Sequence, residues 1–429
     1  MINILFDSYC SLVMIQIKMT QQIIIQEENK FLHSIRTCLI DGLFSYLLPK
    51  FLISNIKYCH DLYSLMKCCK STKRLMVDKF LRLVEFEWAD IKHWNQEKQN
   101  KVRRISIDVD DKKLFEDVPY VIKEIIINGF CTEVVTKNML QLPEKITELR
   151  FGDDFNRMLD NNSLPENLTK LSFGNCYNHV LLVKTLPKNL TYLKFGWDYN
   201  QPLYKGSLPE NLQVLRFNYN FSQKLNKGVL PENLTALIFG NEFNQPIEVD
   251  VLPVNLKNLI FGNNFNQQLA VGVLPKSLIN LDFNTRFNKP FNEDVLPKSL
   301  TKLKFGYKFN QTLKIGDLPE KLTTLVFGET FDQPILEGVL PISLTNLTFG
   351  NNFNQTLIEG SLPLNLTKLS FGFAFNKILT KKILPENLVK ITFGSPIYQK
   401  LIEENILPNN FVQKTTYCYE KLDTPELFE

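Results

Sequence analysis

Apolar and polar residues follow a pattern that repeats every 22 residues from Leu142 to near the C-terminus. Residues 340–361 show it clearly, with the sequence LPISLTNLTFGNNFNQTLIEGS. A Leu-Pro pair opens each of twelve copies, with the leucines at Leu142, Leu164, Leu186, Leu208, Leu230, Leu252, Leu274, Leu296, Leu318, Leu340, Leu362 and Leu384. A fixed period of this length is typical of a solenoid, in which each unit buries its apolar face against its neighbours.

Each copy contains one short stretch in which apolar and polar residues alternate, as they do in a half-buried strand. In the copy above, Leu347 and Phe349 point to one face, while Asn346 and Thr348 point to the other. A helix is disfavoured because every copy has a proline at the position of Pro341, and because no apolar series at helical spacing follows the strand. The fold class predicted is therefore a repeat β-solenoid with parallel strands and extended or turn-like connections.

A glycine follows the strand phenylalanine in most copies, and Asn218 and Asn284 replace it in two of them. Asparagine tolerates the left-handed backbone conformation better than most residues. This exchange predicts a backbone bend with positive φ at that position.

Stacking the copies places equal residues side by side, so two aromatic columns are expected. One begins with Phe151 and the other with Phe155, and burying such rings suffices to hold the array without a cofactor. The asparagine after the second column, beginning with Asn156, is expected to bond to the turns of adjacent coils. These columns are therefore interpreted as structural and not catalytic.

The repeat resembles the FNIP repeat, a relative of the leucine-rich repeat, over roughly residues 119–410. The name-giving F-N-x-P motif, or a one-residue variant of it, spans residues 199–202, 243–246, 287–290 and 331–334. The resemblance implies a leucine-rich-repeat-like fold. In slime moulds and in giant viruses of amoebae, an N-terminal F-box joined to these repeats is a recurring architecture. Eight cysteines without a disulfide framework indicate a reducing compartment, so a cytoplasmic protein is expected, in the host cytoplasm if viral.

Residues 31–100 have a different hydrophobic pattern, in which Phe31, Ile35 and Leu39 lie at helical spacing before Pro49 interrupts the series. This pattern predicts a small helical domain. Residues 48–70 resemble an F-box, which implies binding to a Skp1-type adaptor of a cullin ubiquitin ligase. The adaptor-binding residues implied are Leu48, Pro49, Ile56, Asp61, Leu62, Leu65, Cys69 and Lys70. The alternative is a helical domain that only caps the solenoid.

These patterns divide the chain into five regions. They are an N-terminal extension (1–30), the F-box-like helical domain (31–100), degenerate capping repeats (101–141), twelve FNIP-type repeats (142–406) and a C-terminal cap and tail (407–429). Within the first region, the apolar segment 2–17 has no basic residue before it, is interrupted by Asp7 and Gln16, and is too short to span a bilayer, so neither a signal peptide nor a membrane partner is expected.

Charge and reactive residues favour a binding protein over an enzyme. The net charge of +4, from 49 basic and 45 acidic residues, argues against a nucleic-acid partner. Eight cysteines show no C-x-x-C pair, and the four histidines lie apart from any repeated acid or nucleophile. No catalytic residue, metal or cofactor is therefore expected, and the chain is expected to be a monomer outside a complex.

Function is then expected on the outward positions of the strands, where the residue type varies from copy to copy. An apolar group flanked by cations is typical of a protein-binding surface, although β-branched residues also simply suit strands. The target-binding residues predicted are Tyr192, Lys194, Val214, Arg216, Ala236, Ile238, Asn258 and Ile260. The chain is therefore interpreted as a recognition subunit of a ubiquitin ligase or, alternatively, as a scaffold or blocking module with no ubiquitin connection.

Overall fold

The computed structural model describes residues 85–87, 104–108, 124–128, 142 and 145–394. These residues form fifteen strands and, within the described ranges, no helix. The strands are β1 (Glu85–Glu87), β2 (Arg104–Asp108), β3 (Glu124–Asn128), β4 (Glu148–Phe151), β5 (Lys170–Ser172), β6 (Tyr192–Lys194), β7 (Val214–Arg216), β8 (Ala236–Ile238), β9 (Asn258–Ile260), β10 (Asn280–Asp282), β11 (Lys302–Lys304), β12 (Thr324–Val326), β13 (Asn346–Thr348), β14 (Lys368–Phe371) and β15 (Lys390–Phe393).

Strands β2 to β15 form a parallel sheet in which each strand pairs with the next one along the chain. From β4 onwards the paired residues are one repeat apart, as Leu281 and Leu303 are in β10 and β11. The two degenerate copies supply β2 and β3, where Ile105 pairs with Ile125, and Ile125 with Leu149. The predicted parallel β-solenoid with a 22-residue period is therefore confirmed for this part of the chain.

Strand β1 differs from the prediction, because it lies inside the range 31–100 that was predicted to be helical. The apolar series at helical spacing that led to that prediction is centred on residues well before β1, and it does not constrain this end of the range. The F-box-like segment 48–70 and the cap that begins at Leu407 lie outside the described residues.

Two turns per coil replace the helix that connects parallel strands in many other folds. In the first turn, the N–H of Leu344 donates to the carbonyl of Pro341 at 3.0 Å. In the second turn, the N–H of Val229 donates to the carbonyl of Asn226 at 3.2 Å, and Gly228 between them has a φ of 76°. Positive φ at the third residue is the signature of a type II turn, and glycine adopts it without strain.

The glycine that follows the strand phenylalanine has a different role from the one predicted. It is not among the glycines with positive φ. A Cβ atom at Gly196 would instead overlap the carbonyl oxygen of Gly174 in the preceding coil. Close approach of adjacent coils therefore requires glycine here, and the left-handed interpretation holds for Asn284, with a φ of 55°, but not for Asn218.

The interior of the coil is filled by leucines and by the two aromatic columns. Within one coil the rings of Phe349 and Phe353 stack with centroids 3.8 Å apart, and between coils Phe349 stacks on Phe371 at 5.4 Å. Leu347 and Phe349 are 1% and 2% exposed, so the strand residues predicted to face inward do so. Ring-to-ring contact thus runs continuously along the array.

Polar ladders join neighbouring coils outside this core. The Asn288 side-chain oxygen accepts the backbone N–H of Asn310 at 2.9 Å, and that of Asn310 accepts the N–H of Asp332 at 2.9 Å. A second ladder runs through threonine, where the Thr345 hydroxyl donates to the carbonyl of Thr323 at 3.1 Å. These columns satisfy backbone groups of the turns, which leaves binding to the positions that vary.

Candidate protein-binding surface

The outward positions of the strands form two columns of variable residues, which we call the strand face. Near its middle, Val214, Ile238 and Ile260 are half-buried and lie on adjacent strands. Ile238 pairs directly with Ile260, so their side chains are neighbours on the same side of the sheet. Three branched apolar side chains thus form one patch on a surface that the repeat does not require to be apolar.

Ala236 does not belong to the exposed surface, although it was predicted to bind the target. Its side chain is only 1% exposed. It pairs with Val214 on one strand and Asn258 on the other, both of which carry longer side chains. Ala236 therefore offers little surface to a target, and the other predicted target-binding residues stay predictions.

One flank of the apolar patch is cationic. Arg150, Lys194 and Arg216 occupy the same outward column on β4, β6 and β7. Burial lowers the pKa of the Lys194 ammonium, and the charges of Arg216 and Arg150 lower it further, while Asp153 opposes them. An anionic group brought to this flank would relieve that repulsion.

The other flank is polar and partly self-paired. Asn280 donates to the side-chain oxygen of Asn258. In the outward column that contains Ile238, Lys304 and Asp282 form an ion pair with a nitrogen-to-oxygen distance of 3.1 Å. The apolar patch is thus rimmed by cations on one side and by amides and an ion pair on the other.

An exposed aromatic pair lies just beyond the ends of the strands. Trp197 and Tyr219 are 54% and 40% exposed, and their rings stack with centroids 5.7 Å apart. On the sequence, these turn residues are the alternative binding position if the strand face does not bind the target. The signal is large aromatic side chains at a variable position that directly follows the repeated Phe-Gly or Phe-Asn pair.

A polar groove of about 650 Å³ is lined by residues that include Asp198 and Asn220, the chain neighbours of Trp197 and Tyr219, but not by the two rings themselves. Its lining residues come from the turns of five successive coils and are Asn156, Cys176, Asn178, Asp198, Asn200, Asn220, Ser222 and Glu242. Burial and the nearby carboxylates of Asp198, Asp154 and Asp153 raise the pKa of the Cys176 thiol, in that order of importance. A thiol kept protonated is a poor nucleophile.

The described residues contain no group of three or more His, Cys, Asp or Glu side chains placed to hold a metal ion. In the same part of the chain, no helix is long and apolar enough to cross a membrane. The eight predicted adaptor-binding residues, from Leu48 to Lys70, lie outside the described ranges, so the structure does not place them.

The solved structures that resemble this chain include the following two. The structure of CroV588, described as a novel circular LRR protein, is 38% identical, with a TM-score of 0.64, over 74% of this chain and 50% of that one. A chain of the Drosophila Toll–Spätzle complex is 13% identical, with a TM-score of 0.50, over 77% of this chain and 55% of that one, and shows the fold alone. This chain thus spans about half the length of either structure.

No curated protein matches the chain significantly. The family described as FNIP Repeat matches eight segments, which are 138–176, 177–220, 199–242, 219–264, 243–285, 265–308, 309–352 and 353–396. These segments cover more than half of the chain and coincide with the strands and turns described above. The chain therefore belongs to the FNIP repeat family, and its solenoid has a leucine-rich-repeat-like fold.

Proposed function

We propose that this chain is a non-catalytic recognition subunit whose repeats bind a target protein through the strand face. The observation that carries the proposal is the half-buried patch of Val214, Ile238 and Ile260 beside a cationic flank. Inward positions hold the fold in every copy, and the outward positions that carry this combination vary from copy to copy. Protein interfaces typically have such an apolar centre within a polar rim.

The chemistry of the patch restricts what the target must offer. Apolar side chains of the target would cover Ile238 and Ile260, while an Asp or Glu side chain would contact Lys194 or Arg216. That contact would offset the mutual repulsion that lowers the pKa of Lys194. The target is therefore expected to present an apolar surface bordered by acidic residues.

The test is capture of the target by the variant Ile238→Asp/Ile260→Lys. The introduced Asp and Lys would stand on adjacent strands in the same column and in the same order as Asp282 and Lys304, which form an ion pair. The sheet therefore accommodates the two substitutions. We expect the melting temperature to change little and capture to fall at least about tenfold, equivalent to about 1.4 kcal/mol.

The matched control is Ile342→Asp/Leu364→Lys, which places the same charges on adjacent coils at residues 58% and 66% exposed. These residues follow the Leu-Pro pairs and lie outside the strand face, so capture should stay at the wild-type level. Unchanged capture by the strand-face variant would refute the proposed surface.

The link to ubiquitin is proposed from the sequence of residues 48–70. In an F-box-like helix, Leu62 and Leu65 would face the Skp1-type adaptor, and charges there cannot be desolvated cheaply. Leu62→Asp/Leu65→Asp should therefore abolish co-purification with the adaptor while the repeats stay folded. If the wild-type protein does not bind the adaptor at all, the scaffold or blocking function replaces the ligase function.

A further inference from the structure

The stacked pair of Trp197 and Tyr219 exposes two aromatic rings at the border between the strand face and the polar groove. Exposed rings of this kind bind cations, because the face of an aromatic ring carries partial negative charge. Trp and Tyr are also enriched among residues that dominate protein interfaces. The pair is therefore a binding feature whose preferred partner depends on the charges around it.

A third exposed aromatic, Tyr307, occupies the same repeat position five coils further along the array. The next residue there is Lys308, whose ammonium nitrogen lies 5.5 Å from the centre of the Tyr307 ring. At this repeat position, the side chain of the next residue, Lys308, thus reaches the Tyr307 ring and supplies a cation from within the chain.

The corresponding residue after Trp197 is Asp198, so the charge beside this ring is reversed. Glu242 supplies a second carboxylate, and its backbone N–H donates to the carbonyl of Tyr219 at 2.9 Å. Both carboxylates line the groove beside the aromatic pair. The residue that supplies a cation to the ring at Tyr307 is thus replaced beside Trp197 by one that would attract a cation from a partner.

Neutral amides hold both carboxylates in place. Asn220 donates to Asp198 at 3.1 Å, and Asn264 donates to Glu242 at 2.6 Å. A hydrogen bond from an amide orients a carboxylate but leaves its charge in place, so the groove keeps its preference for a cation.

We propose that this groove binds an arginine side chain of a protein partner, with the guanidinium stacked on Trp197 and Tyr219 and hydrogen-bonded to Asp198 or Glu242. Arginine fits better than lysine because its planar group stacks on an aromatic ring and presents paired donors to a carboxylate. This site is separate from the apolar patch, and the inference stands whether or not that patch binds a target.

The cations of the strand face limit how the arginine approaches. Lys194 and Arg216 precede Trp197 and Tyr219 in the chain and lie on the strands, whereas Asp198 and Glu242 lie in the turns beyond them. An arginine over the strand face would be repelled, so the partner must place it on the groove side of the aromatic pair.

The experiment measures fluorescence anisotropy of fluorescein-labelled hexa-arginine titrated with the full chain. Hexalysine and hexaglutamate are the comparison peptides. We expect hexa-arginine to bind more tightly than hexalysine. We expect hexaglutamate not to bind, although the chain's net charge of +4 would by itself favour that anionic peptide. Trp197→Ala/Tyr219→Ala and, separately, Asp198→Asn/Glu242→Gln should each weaken hexa-arginine binding at least about tenfold.

Tyr307→Ala is the matched control, since its ring already has Lys308 as a cation, and it should change the affinity less than about twofold. The strand-face variant Ile238→Asp/Ile260→Lys should also bind hexa-arginine like wild type, which separates this test from that of the target-binding surface. Absence of hexa-arginine binding to the wild type would overturn the proposal, and so would unchanged affinity in either groove variant.

Discussion

Tyr177 and Tyr199 differ from the other residues of their repeated column by one buried hydroxyl group each. They replace phenylalanine in the second aromatic column and are 0% and 1% exposed. Their rings stack with centroids 6.1 Å apart, as the phenylalanines of that column do, but their hydroxyls have no hydrogen-bond partner among the described residues. Burial raises the pKa of both phenols, and Tyr177 raises that of Tyr199 further.

Removing both hydroxyls should stabilise the array. A buried donor without a partner costs about 1–3 kcal/mol, so Tyr177→Phe/Tyr199→Phe should raise the free energy of unfolding by at least about 1 kcal/mol. Urea unfolding at neutral pH, with an unchanged dependence on urea, is the measurement. A lower free energy of unfolding would show that the hydroxyls have a partner, such as a buried water.

The same two residues predict a pH dependence of stability. Because the phenol pKa is raised in the folded chain, the unfolded chain releases these protons first as the pH rises through about 10. The stability is complete below that pH and decreases above it. The wild type should therefore lose more stability than the double phenylalanine variant between about pH 9 and pH 11, and equal losses would contradict the assignment to these tyrosines.

At the scale of one element, each coil is stabilised mainly by contacts with the coils before and after it. Phe239 stacks on Phe243 in its own coil at 3.8 Å, and on Phe217 and Phe261 in the neighbouring coils at 6.4 and 5.7 Å. A cavity there would be shared by three coils, because the Phe239 ring stacks on a ring in each of them.

Phe239→Ala should lower the free energy of unfolding by about 3–5 kcal/mol. The matched control is Phe373→Ala, since Phe373 belongs to the same array but is 56% exposed, and its replacement should cost less than about 0.5 kcal/mol. Chemical denaturation of both variants tests this difference. Similar losses would mean that stability does not depend on the aromatic column.

Much of each element could be predicted from the sequence, because a 22-residue period fixes which residues are equivalent and alternation fixes which of them face inward. Contacts between coils could not be predicted in the same way. The requirement for glycine at Gly196 depends on how closely Gly174 approaches, and the burial of Ala236 depends on the length of its neighbours. The stacking of Trp197 on Tyr219 depends on the same register.

At the scale of the whole array, the residues that hold the solenoid and the outward residues of the strand face occupy different columns. Aromatic rings, leucines and the Asn and Thr ladders join each coil to the next. The strand face varies from coil to coil, whereas the groove is lined in part by Asn156, Asn178 and Asn200 of the Asn ladder. Changes on the strand face should therefore alter binding without unfolding the chain, and changes to the groove should be confined to residues outside that ladder.

Site-specific photo-crosslinking tests most directly whether the strand face binds the target. A benzophenone amino acid would replace Tyr192, which lies on the strand face, or Tyr204, which is 54% exposed in the turn before a Leu-Pro pair. After irradiation in amoebal lysate, mass spectrometry identifies the crosslinked protein. We expect a crosslink from position 192 that disappears when Ile238→Asp/Ile260→Lys is added, and none to the same protein from position 204. A crosslink from position 204 alone, or one from 192 that persists in that variant, would contradict this expectation.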